Sequence, residues 1–323
     1  MEKERLDIFS KMSDQMKSVL RIQEERSKET FVTSDDFNVL REAYSKERQY
    51  WNEGAPSMNR IVNTTIDGPY GQIPIRIYYP NNNKNSCCSI YIHGGGFILG
   101  SVDTHDRIMR IFSNYSQNIL VGIDYSLSPE NKFPVALNEC TTVIKYVKNY
   151  GYKYGINGNK ISVVGDSSGA NLSLAAILHM RDKGYDISYI KSLILYYGLY
   201  SLSNSKSMNL FGGTHNGFNQ DDLEHYAMCY LNNEDYTNNP YFHCLSANLT
   251  HGIPATYVAV GDLDPLLDDN LNLHKILKEK GIKSKCDVYK GVLHSFLHYS
   301  KVLEESKTAL EAGAKFLLDN INK

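Results

Sequence analysis

From about residue 60 onward the chain repeats one pattern that few folds accommodate. Short apolar runs rich in β-branched and aromatic residues, at 87–92, 119–125, 161–164, 192–197, 257–260 and 285–289, are separated by stretches with helical periodicity. Runs that are apolar at nearly every position suit strands buried on both faces, as in a mostly parallel sheet covered by helices. Ile73, Ile75, Ile77 and Tyr79 instead alternate strictly, the mark of a strand with one buried face, and Gly68-Pro69-Tyr70-Gly71 before them supplies a turn. The expected fold class is therefore α/β. A chain of 323 residues, 42% hydrophobic, is long and apolar enough to form one such domain over 1–323.

Two segments stand outside that rhythm. Residues 1–53 read as two amphipathic helices: Phe9, Met12, Met16 and Val19 recur at threes and fours, as do Phe37, Leu40 and Tyr44 after Ser34 as an N-cap. Residues 201–239 are rich in Asn and Gly, with a helix expected near 221–231. The two segments are expected to fold together as a cap over the strand ends.

Charge narrows the partners. The 36 acidic and 34 basic side chains nearly cancel, so no global field would gather nucleic acid or an anionic membrane, and a small neutral substrate fits better. The first 30 residues mix seven acidic with seven basic side chains and lack the apolar segment of a secretory signal. Six cysteines (87, 88, 140, 229, 244 and 286) form no CxxC pair, which suits a reducing, cytoplasmic compartment.

The chemistry concentrates at the ends of the runs. Gly165-Asp166-Ser167-Ser168-Gly169 follows one run and precedes an apolar helical stretch containing Leu174, Ile177 and Leu178. This is the context of a nucleophile elbow, where a sharp turn strains the serine backbone and demands small residues two positions to either side. That demand selects Ser167, because for Ser168 the flanking residues would be Asp166 and Ala170. His93-Gly94-Gly95-Gly96-Phe97 follows another run. Its glycines would let backbone N–H groups approach a developing oxyanion, with Gly94, Gly95 and Gly96 joined by the N–H of Ser168, and with His93 shaping the loop. A phosphate cradle is disfavoured, since neither a dinucleotide fingerprint nor a P-loop Lys-Ser pair is present.

A serine hydroxyl needs a general base, and the base needs an orienting acceptor. Asp264 lies just past the run ending at 260 and His294 just past the run ending at 289, so both fall at strand carboxyl ends, where open α/β sheets bind ligands. Chain position leaves Asp262 and His298 open as alternatives. Asp268 and Asp269 are expected in the following helix, on its solvent face or capping it. No HExxH or comparable spacing suggests a metal.

Taken together, these motifs resemble the hormone-sensitive-lipase-like branch of the α/β-hydrolases. HGGGF at 93–97, YSLSPE at 125–130, FPVAL at 133–137, GDSSGAN at 165–171, DPLLDD from 264 and HSF from 294 stand in that family's order. Segments outside the motifs, at 51–56, 97–110, 197–200 and 296–300, are similar to its acetyl-esterase group from enteric bacteria. The resemblance implies an α/β-hydrolase fold with a helical cap, Ser167 as nucleophile, Asp264 as acid and His294 as base, with no cofactor and no metal. It implies hydrolysis of small neutral esters, acetyl to medium-chain. It further implies, as expectations only, a homodimer and binding to a maltose-type transcription activator and an α-galactosidase. Ser168 departs from the alanine usual in the family; because that position contributes its N–H, little loss is expected. A binding or regulatory protein on a hydrolase scaffold, or a lipase or amidase of the same fold, is the competing expectation.

Overall fold

The computed structural model describes residues 7–30, 32, 34–201, 204–233 and 238–322, so the expected cap is described except at residues 1–6, 31, 33, 202–203 and 234–237. In chain order the elements are α1 (Ile8–Lys11), α2 (Asp14–Thr30), α3 (Phe37–Asn52), β1 (Arg60–Gly68), β2 (Gly71–Tyr79), β3 (Ser86–Ile92), α4 (Asp106–Ser116), β4 (Ile119–Ile123) and α5 (Val135–Tyr150). They continue with β5 (Ile156–Asp166), α6 (Ser168–Asp182), β6 (Ile190–Tyr196), α7 (Lys206–Phe211), α8 (Gln220–Tyr230), β7 (Ala255–Gly261), α9 (Leu267–Glu279), β8 (Ser284–Tyr289) and α10 (Glu304–Leu318).

The eight strands form one sheet in the order β1-β2-β4-β3-β5-β6-β7-β8. The six from β4 to β8 are mutually parallel, and β1 and β2 are antiparallel additions at one edge. Every apolar run read from the sequence lies on one of these strands. The exception in the other direction is β1, which was not expected: Asn63, Thr64, Thr65 and Asp67 break its alternation, and only Ile66 along it is buried. An edge strand has one neighbour and little core to cover, so it leaves a weak hydrophobic pattern.

The continuous apolar runs have a direct structural reason. Val163, Leu193, Leu195 and Val258 point into a core shared with Ile144 of α5, Leu174 and Ile177 of α6, and Leu273 and Leu277 of α9. Their alternates Val164, Ile194, Tyr257 and Ala259 point into a second core with Ile108 and Phe112 of α4 and Leu310 and Leu317 of α10. Both faces of these strands are dry, and so both alternating sets are apolar.

The second expected helix is capped two residues beyond Ser34, the expected cap, and the first is interrupted. The first apolar stripe is cut between α1 and α2, where the Ser13 hydroxyl accepts from the Met16 N–H at 3.1 Å. The N-cap of α3 is Asp36, whose carboxylate accepts from Asn38 N–H, while Ser34 accepts from Asp36 N–H just upstream. From α3, Arg41 donates to the Ile98 and Ser128 carbonyls at 2.9 and 2.8 Å and pairs with Glu130 at 2.7 Å. This places α3 beside the loop that follows the glycines.

Asp268 and Asp269 lie at the start of α9, as expected, but their carboxylates bond the segment folded onto them and do not cap the helix. Asp268 accepts from Ser207 N–H, and Asp269 is buried and accepts from the N–H groups of Tyr200 and Ser201 and from the Ser201 hydroxyl at 2.7–2.8 Å. Both carboxylates tether the segment after β6 to the sheet edge. Burial pushes the Asp269 carboxyl up to about 6, against the pull of its bonds to Ser201 and Tyr200. A folded-state pKa above the unfolded value means that the folded protein holds the extra proton between about pH 4 and 6. The stability contributed by this group should therefore fall as pH rises through that window. Urea unfolding of Asp269→Asn across pH 4–7 should show that slope removed; an unchanged slope would assign it elsewhere.

Candidate active site

β5 ends at Asp166 and α6 begins at Ser168, leaving Ser167 alone in the turn. Its backbone is held at φ 53°, ψ −121°, outside the regions that L-residues favour, and its N–H donates to the Tyr196 carbonyl at 2.9 Å. The turn closes because its flanking positions carry no side chain. A Cβ on Gly169 would collide with the Ile92 and His93 carbonyls, and one on Gly165 with the Gly169 carbonyl and Ser173 Oγ. Ser168 is buried, and its hydroxyl accepts from Phe97 N–H at 3.3 Å. The extra hydroxyl thus ties the elbow to the glycine loop.

Because β3, β5, β7 and β8 run parallel, the loops leaving them emerge at the same sheet edge. There Ser167 Oγ lies 3.0 Å from His294 Nε2, and His294 Nδ1 lies 2.8 Å from Asp264 Oδ2. Asp264 is fully buried, and its other oxygen accepts from Leu266 N–H at 2.8 Å. A carboxylate at Nδ1 favours the tautomer protonated there, which leaves Nε2 to accept the serine proton. The imidazole is walled by Tyr197 and Phe218, both edge-on at 4.9 and 4.8 Å between ring centres.

The alternatives are occupied otherwise. Asp262 accepts from Gly291 N–H at 2.7 Å and so pins the turn after β8. His298 is buried against His105, with ring centres 4.5 Å apart, and burial, reinforced by Arg48 and the neighbouring histidines, pushes its pKa well below the ordinary value.

One correction concerns the glycine loop. Gly94 was expected among the oxyanion donors, but its N–H is already spent on Asp166 Oδ1 at 3.0 Å. Among the described residues the amides of Gly95 and Gly96 have no acceptor, and Ser168 opens α6, where the first N–H groups have no intrahelical partner. The amides left without a described acceptor are those of Gly95 and Gly96 in the loop and of Ser168 at the start of α6. His93 shapes it: the ring is buried, stacks on Tyr125 at 4.3 Å and has Nδ1 2.9 Å from the Gly94 carbonyl. Burial, aided by His105, lowers its pKa to about 3, so it is neutral.

Asp166, within the elbow, carries a role that its sequence position does not signal. The same carboxylate accepts from Tyr91 OH at 2.8 Å and faces His105 Nε2 at 3.4 Å. Burial alone would raise its pKa, but His105 and the bonds from Tyr91 and Gly94 outweigh that and hold it low. His105, Asp166 and His298 together place three ligand-type atoms within 4.8 Å. With Oδ1 taken twice over and the Arg48 guanidinium acting on His298, the cluster reads as an internal tie between strands and glycine loop. Among the described residues no helix is long and apolar enough to cross a membrane.

A serine on a strained strand-to-helix turn, hydrogen-bonded to a histidine at the carboxyl edge of a mostly parallel sheet, is the arrangement of an α/β-hydrolase. A family model described as alpha/beta hydrolase fold matches residues 89–298, and the chain belongs to that family, in its hormone-sensitive-lipase-like branch. It is 38% identical over 314 residues to an acetyl esterase of Salmonella agona, covering 97% of this chain and 96% of the relative. Its fold is similar to a hyperthermophilic esterase from Pyrobaculum calidifontis, with TM-score 0.89, 30% identity, and 96% and 98% of the two chains covered. It is also similar to a thermostable carboxylesterase cloned from a metagenomic library, with TM-score 0.84, 25% identity, and 88% and 98% covered.

Proposed function

We propose that this carboxylic ester hydrolase cleaves short-chain esters, acetyl to medium length, by two-step acyl transfer on Ser167. The single observation that carries the mechanism is the unbroken chain from Ser167 Oγ through the His294 ring to the buried Asp264 carboxylate, at 3.0 and 2.8 Å.

In the first step His294 Nε2 takes the hydroxyl proton as Ser167 Oγ attacks the ester carbonyl carbon. The carbonyl oxygen becomes an oxyanion within reach of the Gly95, Gly96 and Ser168 amides. As it collapses, the C–O bond to the alcohol breaks, and His294 returns the proton to the departing alkoxide. Water then attacks the acyl-serine with His294 again as base, releasing the acid and restoring the hydroxyl. Asp264 stabilises the imidazolium formed in each step. Every proton and electron pair is accounted for by these groups and water.

The short acyl chain is supported by crowding. The Tyr226 ring lies so close to the glycine loop that a methyl on Gly96 would sit 3.1 Å from its Cδ2, and Tyr197 and Phe218 fill the space beside His294. The acetyl esterase relatives support the same reading. In a p-nitrophenyl ester series, kcat/KM should peak at acetyl to hexanoyl and fall at least ~10-fold by palmitoyl, the scale of discrimination expected when extra methylenes lack a pocket. A maximum at long chains would make the enzyme a lipase. The cytoplasm is the compartment that its six unpaired thiols suit.

A further inference from the structure

We infer that Asn216, a residue of the insert between β6 and β7, is a positioning residue that fixes His294 against Asp264. The inference rests on the reaction proposed for Ser167.

Asn216 sits in a tight loop between α7 and α8, closed by Gly213 and Phe218 pairing as an isolated antiparallel bridge. Its side-chain amide makes three hydrogen bonds. Nδ2 donates to the Phe211 carbonyl at 2.9 Å and to the Leu263 carbonyl at 3.0 Å, and Oδ1 accepts from the His294 N–H at 2.7 Å. Leu263 immediately precedes Asp264. One side chain therefore joins the backbones of the two loops that carry the acid and the base, and ties both to α7.

The chemistry of the three partners dictates the residue. Two carbonyls and one N–H require a group with two donors and an acceptor at short reach, which the asparagine amide supplies. Aspartate would keep the bond to His294 N–H but would turn a carboxylate oxygen toward two carbonyls. Leucine has a similar volume and none of the bonds. Two residues further on, Phe218 meets the His294 ring edge-on, so the same loop holds both the backbone and the ring of the base.

His294 otherwise belongs to a loop following β8 at the edge of the sheet, and Asp264 to a loop following its neighbour β7. Their separation determines the Nδ1 to Oδ2 bond, and a small displacement there moves Nε2 relative to Ser167 Oγ. Mispositioning of this order costs chemistry far more than binding.

The test compares wild type with Asn216→Leu and Asn216→Asp on p-nitrophenyl acetate, together with Tm and the pH profile of kcat/KM. We expect kcat to fall ~10–100-fold with KM within about threefold. The acidic limb of the profile should shift measurably in both variants. Labelling of Ser167 by an organophosphonate should slow in parallel. Full kcat and an unshifted profile in a folded Asn216→Leu protein would overturn the inference. So would a loss of activity explained wholly by a smaller folded fraction, with the folded protein showing wild-type kcat per labelled site. If Ser167→Ala retains activity, the proposed reaction itself fails, and that outcome is distinct from either result at Asn216.

Discussion

Replacing Ser167 by alanine should lower kcat for p-nitrophenyl acetate by ~10⁴-fold or more, with the protein still folded and Tm within a few degrees of wild type. The size follows from the chemistry: without Oγ there is no attacking atom and no acyl-enzyme, and the residual rate comes only from water reaching an ester held near the amides and His294. The fold should tolerate the change, because the hydroxyl's polar partner is the His294 ring and the strained backbone is set by Gly165 and Gly169. Organophosphonate labelling followed by peptide mapping supplies the positive control, with the mass tag on Ser167 in wild type and absent from the variant. A Ser167→Ala protein that keeps most of its activity would remove the assignment.

The second large effect is expected at Asp264. Asp264→Asn keeps size and burial but replaces an oxygen acceptor with an amide. The Leu266 N–H, 2.8 Å from Oδ1, holds the amide oxygen on its side and so turns the NH₂ toward His294 Nδ1. A donor there forces the histidine proton onto Nε2, the nitrogen that must accept the serine proton. The reaction then starts from the wrong tautomer, a change that costs ~10⁴-fold in kcat in other Ser-His-Asp enzymes. Asp262→Asn is the matched comparison, since Asp262 serves the Gly291 turn and touches neither the histidine nor the serine in the described hydrogen bonds. Its kcat should stay within severalfold of wild type. Equal losses in the two variants, or Asp264→Asn within tenfold of wild type, would reject the proposed role of Asp264.

Much of this is legible in the amino-acid sequence alone. The interior parallel strands β3 to β7 are legible because both of their faces are largely dry, so periodicity disappears into continuous apolar runs, whereas β8 at the sheet edge has no buried residue. The elbow was legible because only glycine fits at 165 and 169, and that steric demand singled out Ser167 over Ser168. β1 was not legible, since an edge strand with one buried residue need not alternate. The tether at Asp269 was misread for a related reason: a carboxylate at a helix start looks like a surface cap unless the backbone that folds onto it is known.

The glycine loop marks the boundary most clearly. Its composition shows that backbone amides come close to something, and a second copy of the same residue type gives no way to rank them. The fold ranks them, because Asp166 reaches back across the β3–β5 pair and occupies Gly94, leaving Gly95 and Gly96. Asn216 is a stronger case of the same kind. An asparagine in an Asn-rich insert carries no signal, and its three partners lie 5, 47 and 78 residues away in the chain.

What the chain determines by itself is the set of local constraints: which runs must be strands, where the backbone must turn sharply, and which side chains have the chemistry for nucleophile, acid and base. Those follow from sterics and burial acting over a few neighbouring residues. What the tertiary structure decides is allocation: which amide is spent and which is free, which aspartate faces the histidine and which pins a turn, and which loop holds the base in place. Hydrogen-bonding capacity is shared among partners distant in sequence, and only their positions in space show who has claimed it.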